Sequence, residues 1–159
     1  MNGSLLLRCG SHKDSDNMRV SLIVGISILV TGCFGKEATQ LRIEQGWIPE
    51  IPPVIRVAAG YMEIHNDSEK PRYLVGASSS RASSIEIHKS TVVNEVARME
   101  RQTEVEIPAQ GELIFSNETG YHLMFYDPSE FKAGNRVPVS LEFKDGSTLS
   151  AQFEVVDRR

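Results

Sequence analysis

Four side chains in this 159-residue chain could act together on a soft metal ion: His88, Met99, His122 and Met124. Ten residues separate His88 from Met99, twenty-two separate Met99 from His122, and one separates His122 from Met124. Thioether sulfur selects Cu(I) over hard ions, and imidazole suits copper as well. Other chemistries lack their parts. The serines at 78–80 and 83–84 have no Gly-x-Ser-x-Gly elbow and read as polar loop. Glu104, Glu106 and Glu112 read as solvated strand faces rather than an acid–base pair. No carboxylate cluster of the Ca²⁺ or Mg²⁺ kind is evident. A blue-copper centre needs a Cys beside two His, and both cysteines, Cys9 and Cys33, precede the part that reads as globular. The chain is therefore not expected to be an enzyme or an electron carrier.

The elements that must hold these donors read as β. In His122-x-Met124 the two donors share one strand face, leaving Tyr121, Leu123 and Phe125 for the core. His88 likewise lies opposite Ile85 and Ile87. Further runs are Val54 to Ile64, Tyr73 to Ala77, Ser84 to His88, Thr103 to Ile107, Leu113 to Phe115 and Tyr121 to Tyr126. Val137 to Phe143 and Leu149 to Val156 flank Lys144-Asp145-Gly146-Ser147, a hairpin turn in which Asp-Gly accommodates positive φ. His65-Asn66-Asp67-Ser68 reads as a turn, with His65 solvated, and Met62 as a core filler. Tyr121 and Trp47 read as packing residues, and Pro49, Pro52 and Pro53 as a loop or edge. Eight or nine strands at this spacing predict an all-β, antiparallel sandwich or barrel.

Before Leu41 the chain reads as an address. Met18-Arg19, the apolar run Val20 to Val30 and then Thr31-Gly32-Cys33 form a positive n-region, a short h-region and a small-residue cleavage site. The apolar run is shorter than the roughly 20 residues a spanning helix needs. Val30-Thr31-Gly32-Cys33 resembles the lipobox of bacterial lipoproteins, which implies cleavage before Cys33 and lipid on its sulfur. The expected organisation is residues 1–32 as signal peptide, 33–40 as a lipidated tether and 41–157 as one domain. Residues 1–17 fit poorly ahead of such a signal, which points to Met18 as an alternative start. The alternative for Cys33 is a buried free thiol after an apolar helix. With Cys33 the one cysteine left after cleavage, neither a disulfide framework nor a CxxC redox site is expected.

Seventeen Lys+Arg against 21 Asp+Glu give a net charge of −4, without a basic block. A phosphate backbone needs clustered cations, so nucleic acid is not an expected partner.

The blocks around the four donors resemble the PCu(A)C-type periplasmic copper chaperones (DUF461-like). They run from Trp47 through Ala58-Ala59-Gly60-Tyr61-Met62, Leu74-Val75-Gly76-Ala77-Ser78 and Ile85-Glu86-Ile87-His88. They continue through Arg98-Met99, Ile107-Pro108-Ala109 and Gly120-Tyr121-His122-Leu123-Met124. The resemblance, over about Leu41 to Val156, implies a cupredoxin-like Greek-key β-sandwich, preceded here by the lipoprotein signal peptide. It implies His88, Met99, His122 and Met124 as Cu(I) ligands. It further implies delivery of copper to a respiratory haem-copper oxidase subunit, with a thioredoxin-fold copper protein cooperating. Many members carry a Met directly after the first His, where this chain has Lys89. Some members also have a His/Met-rich tail without a counterpart here, so further copper sites are not expected. Most are secreted soluble proteins; the lipobox predicts a membrane-anchored form in the bacterial periplasm or cell envelope. The rival expectation is a structural or interaction lipoprotein whose His/Met cluster is incidental.

Overall fold

Along Val57–Asn66, every second residue from Ala58 is buried, through Gly60, Met62, Ile64 and Asn66. That period of two makes a strand with one face on a core and the other turned outward. The structure, a computed structural model, describes residues 40–157. The expected signal peptide, the tether up to residue 39 and Cys33 lie outside the described residues.

Ten strands follow in order: β1 Leu41–Pro49, β2 Val57–Asn66, β3 Arg72–Ser78, β4 Ser84–Val93 and β5 Val96–Gln102. Then come β6 Val105–Ile107, β7 Gly111–Phe115, β8 Tyr121–Tyr126, β9 Arg136–Phe143 and β10 Thr148–Val156. Hydrogen bonds run through β5-β4-β8-β2-β1-β10-β9-β3-β6, with a β3–β4 pairing that brings the path round onto itself. The strand β2 is shared, its first half pairing with β8 and its second with β7. Ladders that jump in chain order are the mark of Greek-key winding. The expected all-β sandwich is what forms. One ladder departs from the antiparallel expectation: β1 and β10 pair parallel through Trp47↔Glu154, Ile48↔Val155 and Pro49↔Val156.

The core holds Ile48, Met62, Ile64, Leu74, Ile107, Leu123, Leu141 and three fully buried phenylalanines, Phe115, Phe125 and Phe153. The Phe125 ring meets Phe131 and Phe153 edge-on, with centroids 5.4 and 6.5 Å apart. Each such buried side chain contributes about 1.5–3 kcal/mol, so this centre keeps β2, β8 and β10 in fixed register. Met62, 1% exposed, is the core filler expected. Trp47 and Tyr121 pack as expected, Trp47 stacked on Tyr61 with centroids 4.6 Å apart and Tyr121 against Phe115.

Three sequence expectations need correction. The β4 strand runs five residues past His88 and pairs with β5, a strand absent from the sequence reading. Their turn is Asn94-Glu95, both at positive φ (51° and 64°), the two-residue geometry that favours Asn-Gly. A Glu in the second place disguised it. The second strand starts at Val57 rather than Val54, because Ile55 N–H turns back onto the Pro52 carbonyl. It also takes in His65 and Asn66, which read as turn. The Asn66 amide is buried and donates to the Lys70 and Pro108 carbonyls while accepting from Ser68. A polar residue whose bonds are all satisfied inside needs no solvent.

Candidate metal centre

The β4–β8 register sets His88 directly opposite His122 and Glu86 opposite Met124. The β4–β5 register sets Ser90 opposite Met99 and His88 opposite Arg101. Paired residues share a sheet face, and i and i+2 repeat it. Met99, His88, His122 and Met124 therefore share the outward face of three adjacent strands; alternation implied this for His88, His122 and Met124, and the β4–β5 register adds Met99. The two imidazoles meet directly, with ring centroids 5.8 Å apart and planes at 64°. Met124 lies one pleat from His122 on β8. Met99 lies one pleat the other way, on β5, and is 52% exposed. Although the face is outward, His88 and His122 are only 9% and 6% exposed.

The glycine at 120 makes the local geometry possible. Its φ is +79°, and a Cβ there would stand 2.2 Å from the Ser90 carbonyl oxygen. Without a side chain, the Gly120 carbonyl can accept both the Ser90 N–H, at 2.9 Å, and His122 Nδ1–H, at 3.1 Å. A carbonyl only accepts, so Nδ1 carries the proton and the neutral ring leaves Nε2 bare. That Nε2 is buried without a partner. Burial lowers the His122 pKa; the bond to Gly120 opposes this and the neighbouring His88 adds to it.

His88 is held by its other nitrogen. Its Nε2 lies 2.8 Å from Glu86 Oε2, which also accepts from the Tyr126 hydroxyl at 3.1 Å. Arg101 Nη1 reaches Glu86 Oε1 at 3.2 Å. The His88 bond, then the Tyr126 bond and the Arg101 charge, hold the Glu86 carboxyl below its usual range against the opposing effect of burial. An ionised carboxylate accepts, so His88 carries its proton on Nε2 and leaves Nδ1 bare. Nδ1 too is buried without a partner. Each such orphan costs about 1–3 kcal/mol, a cost that a ligand on the two lone pairs removes.

Glu86, Arg101, Tyr126 and Gly120 escaped the sequence reading. Glu86 was within reach of it, two residues before His88 on the same face; Arg101 was not, since its place depends on the unrecognised β4–β5 hairpin. Lys89 points the other way, its Nζ 4.5 Å from the centre of the Tyr121 ring. A second cluster also appears where no carboxylate group was expected: Glu44, Glu63 and Glu112 surround His65. Cross-strand pairing of β1, β2 and β7 assembles it from distant segments, which spacing along the chain conceals.

A family profile described as "Putative lipoprotein LpqE-like" matches residues 41–155, from the start of β1 to the last residue but one of β10. The chain belongs to the LpqE-like family. Among its relatives, "Putative lipoprotein Lxx21020" of Leifsonia xyli subsp. xyli is 28% identical over 152 residues, spanning 88% of this chain and 90% of that one. Among solved structures, the copper-bound PCuAC domain from PmoF2 aligns with a TM-score of 0.61 at 18% identity, over 74% of this chain and 93% of that one. The Cu(I) form of DR1885 from Deinococcus radiodurans aligns at 0.58 with 31% identity, over 73% and 77%. This LpqE-like domain thus has the fold of PCuAC domains, as its sequence blocks implied.

Proposed function

We propose that this LpqE-like protein is a Cu(I)-binding carrier of the bacterial cell envelope, with His88, Met99, His122 and Met124 as its ligands. The observation that carries the reading is the pair of bare, buried nitrogens on facing residues, His88 Nδ1 and His122 Nε2. Two thioethers flank them on the same sheet face. The donor set suits the cargo. It is neutral and soft, it contains no thiolate for an oxidising compartment to consume, and the folded residues 41–157 hold no cysteine. Neutral ligands also suit release, because the ion leaves without being separated from a bound anionic donor. Met99, half exposed at the rim, gives an acceptor a first point of attack on the bound ion.

Support comes as well from the Cu(I) form of DR1885, which is 31% identical to this chain. On the same reading, Cys33 carries lipid and tethers the sandwich to the membrane. Two or three acyl chains, at roughly 0.8 kcal/mol per buried CH₂, make that anchoring stable. The acceptor is the copper centre of a respiratory haem-copper oxidase, reached with or without a thioredoxin-fold copper protein. The test is anaerobic Cu(I) titration of the purified full chain against a competing chelator. The reading expects one tight equivalent; binding no stronger than in a His88/His122 double-alanine variant would reject it.

A further inference from the structure

Each imidazole of the centre has one nitrogen engaged and one bare, but not the same one. In His122 the engaged atom is Nδ1, on a backbone carbonyl; in His88 it is Nε2, on a carboxylate. Neither the spacing of the four donors nor their residue types contains this asymmetry. It comes from what lies beside each ring.

Resting on the Cu(I) reading, we propose that Glu86 is a positioning residue, which makes His88 bind copper through Nδ1 while His122 binds through Nε2. The physical reason is proton placement. A neutral imidazole has one N–H and one lone pair, so the atom that donates to a fixed acceptor dictates which atom is free for a metal. Glu86 is a well-fixed acceptor, with Tyr126 on the oxygen that faces His88 and Arg101 on the other. Three strands contribute to the clamp: Glu86 from β4, Arg101 from β5 and Tyr126 from β8. A ligating histidine that donates its other N–H to a carboxylate is held in orientation and made more basic. Glu86 itself need not touch the ion. Gly120 does the corresponding work for His122 through a carbonyl that no side-chain substitution can delete.

The experiment is long-range ¹H–¹⁵N correlation of the imidazole rings in the labelled full chain, before and after one equivalent of Cu(I). The expected apo spectrum shows opposite tautomers, with His88 protonated at Nε2 and His122 at Nδ1. Cu(I) should then move the signals of His88 Nδ1 and His122 Nε2, leaving each ring's N–H in place. Glu86→Leu removes the acceptor. It should mix the His88 tautomers and weaken Cu(I) binding by about 10–100-fold. Glu86→Gln, whose amide oxygen still accepts, should keep the tautomer and recover most of the affinity. Copper bound through His88 Nε2 in the wild type overturns the assignment while sparing the carrier reading. A Glu86→Leu variant with weakened binding but an unchanged His88 tautomer overturns the role of Glu86. Rings unmoved by Cu(I) overturn the carrier reading and this inference with it.

Discussion

His65 and the His88–His122 pair stand on the same outward sheet face, on β2 and on β4 and β8, and their surroundings differ in charge. Around His65 lie three carboxylates: Glu44 and Glu63 at 3.9 and 3.7 Å from Nε2, and Glu112 at 3.4 Å from Nδ1. Glu44 faces Glu63 directly across the β1–β2 ladder, a like-charge pairing that costs stability unless something offsets it. Arg42 does part of this, bonding to both Glu44 and Asp67. Among the described residues, the carboxylate that bonds to the His88–His122 pair is Glu86, engaged by His88 Nε2, Tyr126 and Arg101 rather than by the bare nitrogens. On the same face, register places the thioethers of Met99 and Met124 one pleat to either side, with Ser90 and Arg101 beside them. Histidine alone therefore says little about a site. The second donor decides, since hard charged oxygens suit hard cations and neutral sulfur suits Cu(I).

The sharpest way to break this contrast is to delete each histidine in turn. Loss of an outer-sphere partner typically costs 10–100-fold in metal affinity. Loss of a ligand should exceed that, so His88→Ala and His122→Ala should each weaken Cu(I) binding by more than about 100-fold. His65→Ala should leave it within about threefold, a margin below any ligand effect. Chelator competition on the full-length variants measures all three. A His65 effect as large as the other two would mean that charge, not softness, draws the ion.

The methionines extend the contrast to the two sides of the sheet. Met62 is sealed in the core, whereas Met99 is 52% exposed on the outward face. Met62→Ala should cost about 2–5 kcal/mol of apo stability with little change in copper affinity per folded molecule. Met99→Ala should do the reverse, leaving the denaturation midpoint in place while binding weakens by about tenfold, in the range of a peripheral contributor. A stability loss in Met99→Ala with unchanged affinity would make Met99 a packing residue and remove it from the ligand set.

Two hairpins explain what was legible in the sequence. The β9–β10 hairpin was, because its strands alternate against the core and its turn carries Gly146 at φ +81°. In the β4–β5 hairpin every residue from Thr91 to Arg101 is exposed. With neither face buried there is no alternation to read, and Asn94-Glu95 lacks the glycine that marks such a turn. His88, His122 and Met124 were legible because strand alternation put each on a definite face, whereas Met99 was legible only through its spacing and the family resemblance, its face being set by the β4–β5 register. Their hydrogen-bond partners were not, since Arg101 and Tyr126 reach Glu86 through register across three strands. The bare nitrogens follow from those partners and could not be read before them.

Proton uptake gives a subtler test. Burial holds the His122 pKa below its usual value, while in the unfolded chain a histidine titrates near 6.5. As pH falls through about 6.5, the unfolded chain gains a proton that the folded one resists, so apo stability must fall with it. Above that range this contribution is fully present. Urea denaturation of the apo protein from about pH 7.5 to 5.5, above the range where Glu86 takes up its proton, should show a shallower decline in His122→Asn than in the wild type. His65→Asn serves as the comparison on the acidic side of the face. Identical declines in wild type and His122→Asn would mean that water reaches His122 freely, and its Nε2 would no longer count as an orphan.

The smallest effect is expected at Lys89. The PCu(A)C-type pattern often has a methionine here, beside the first histidine, so on that pattern alone Lys89→Met supplies a third thioether. Register argues otherwise. Lys89 pairs with Tyr121, not with His122, and neighbouring residues on a strand point to opposite faces. Its ammonium lies over the Tyr121 ring, 4.5 Å from the centroid, with the hydroxyl at 3.3 Å. Replacing it should cost about 0.5–1 kcal/mol of cation–π attraction, in part returned by the apolar contact of a methionine with the ring. Cu(I) affinity should stay within about threefold of the wild type, well under the change that adding a ligand produces. Chelator competition and apo denaturation on Lys89→Met read both quantities. A tenfold gain in affinity would require a thioether at 89 to reach the His88–His122 face, and β4 would then have to twist away from the register that pairs Lys89 with Tyr121.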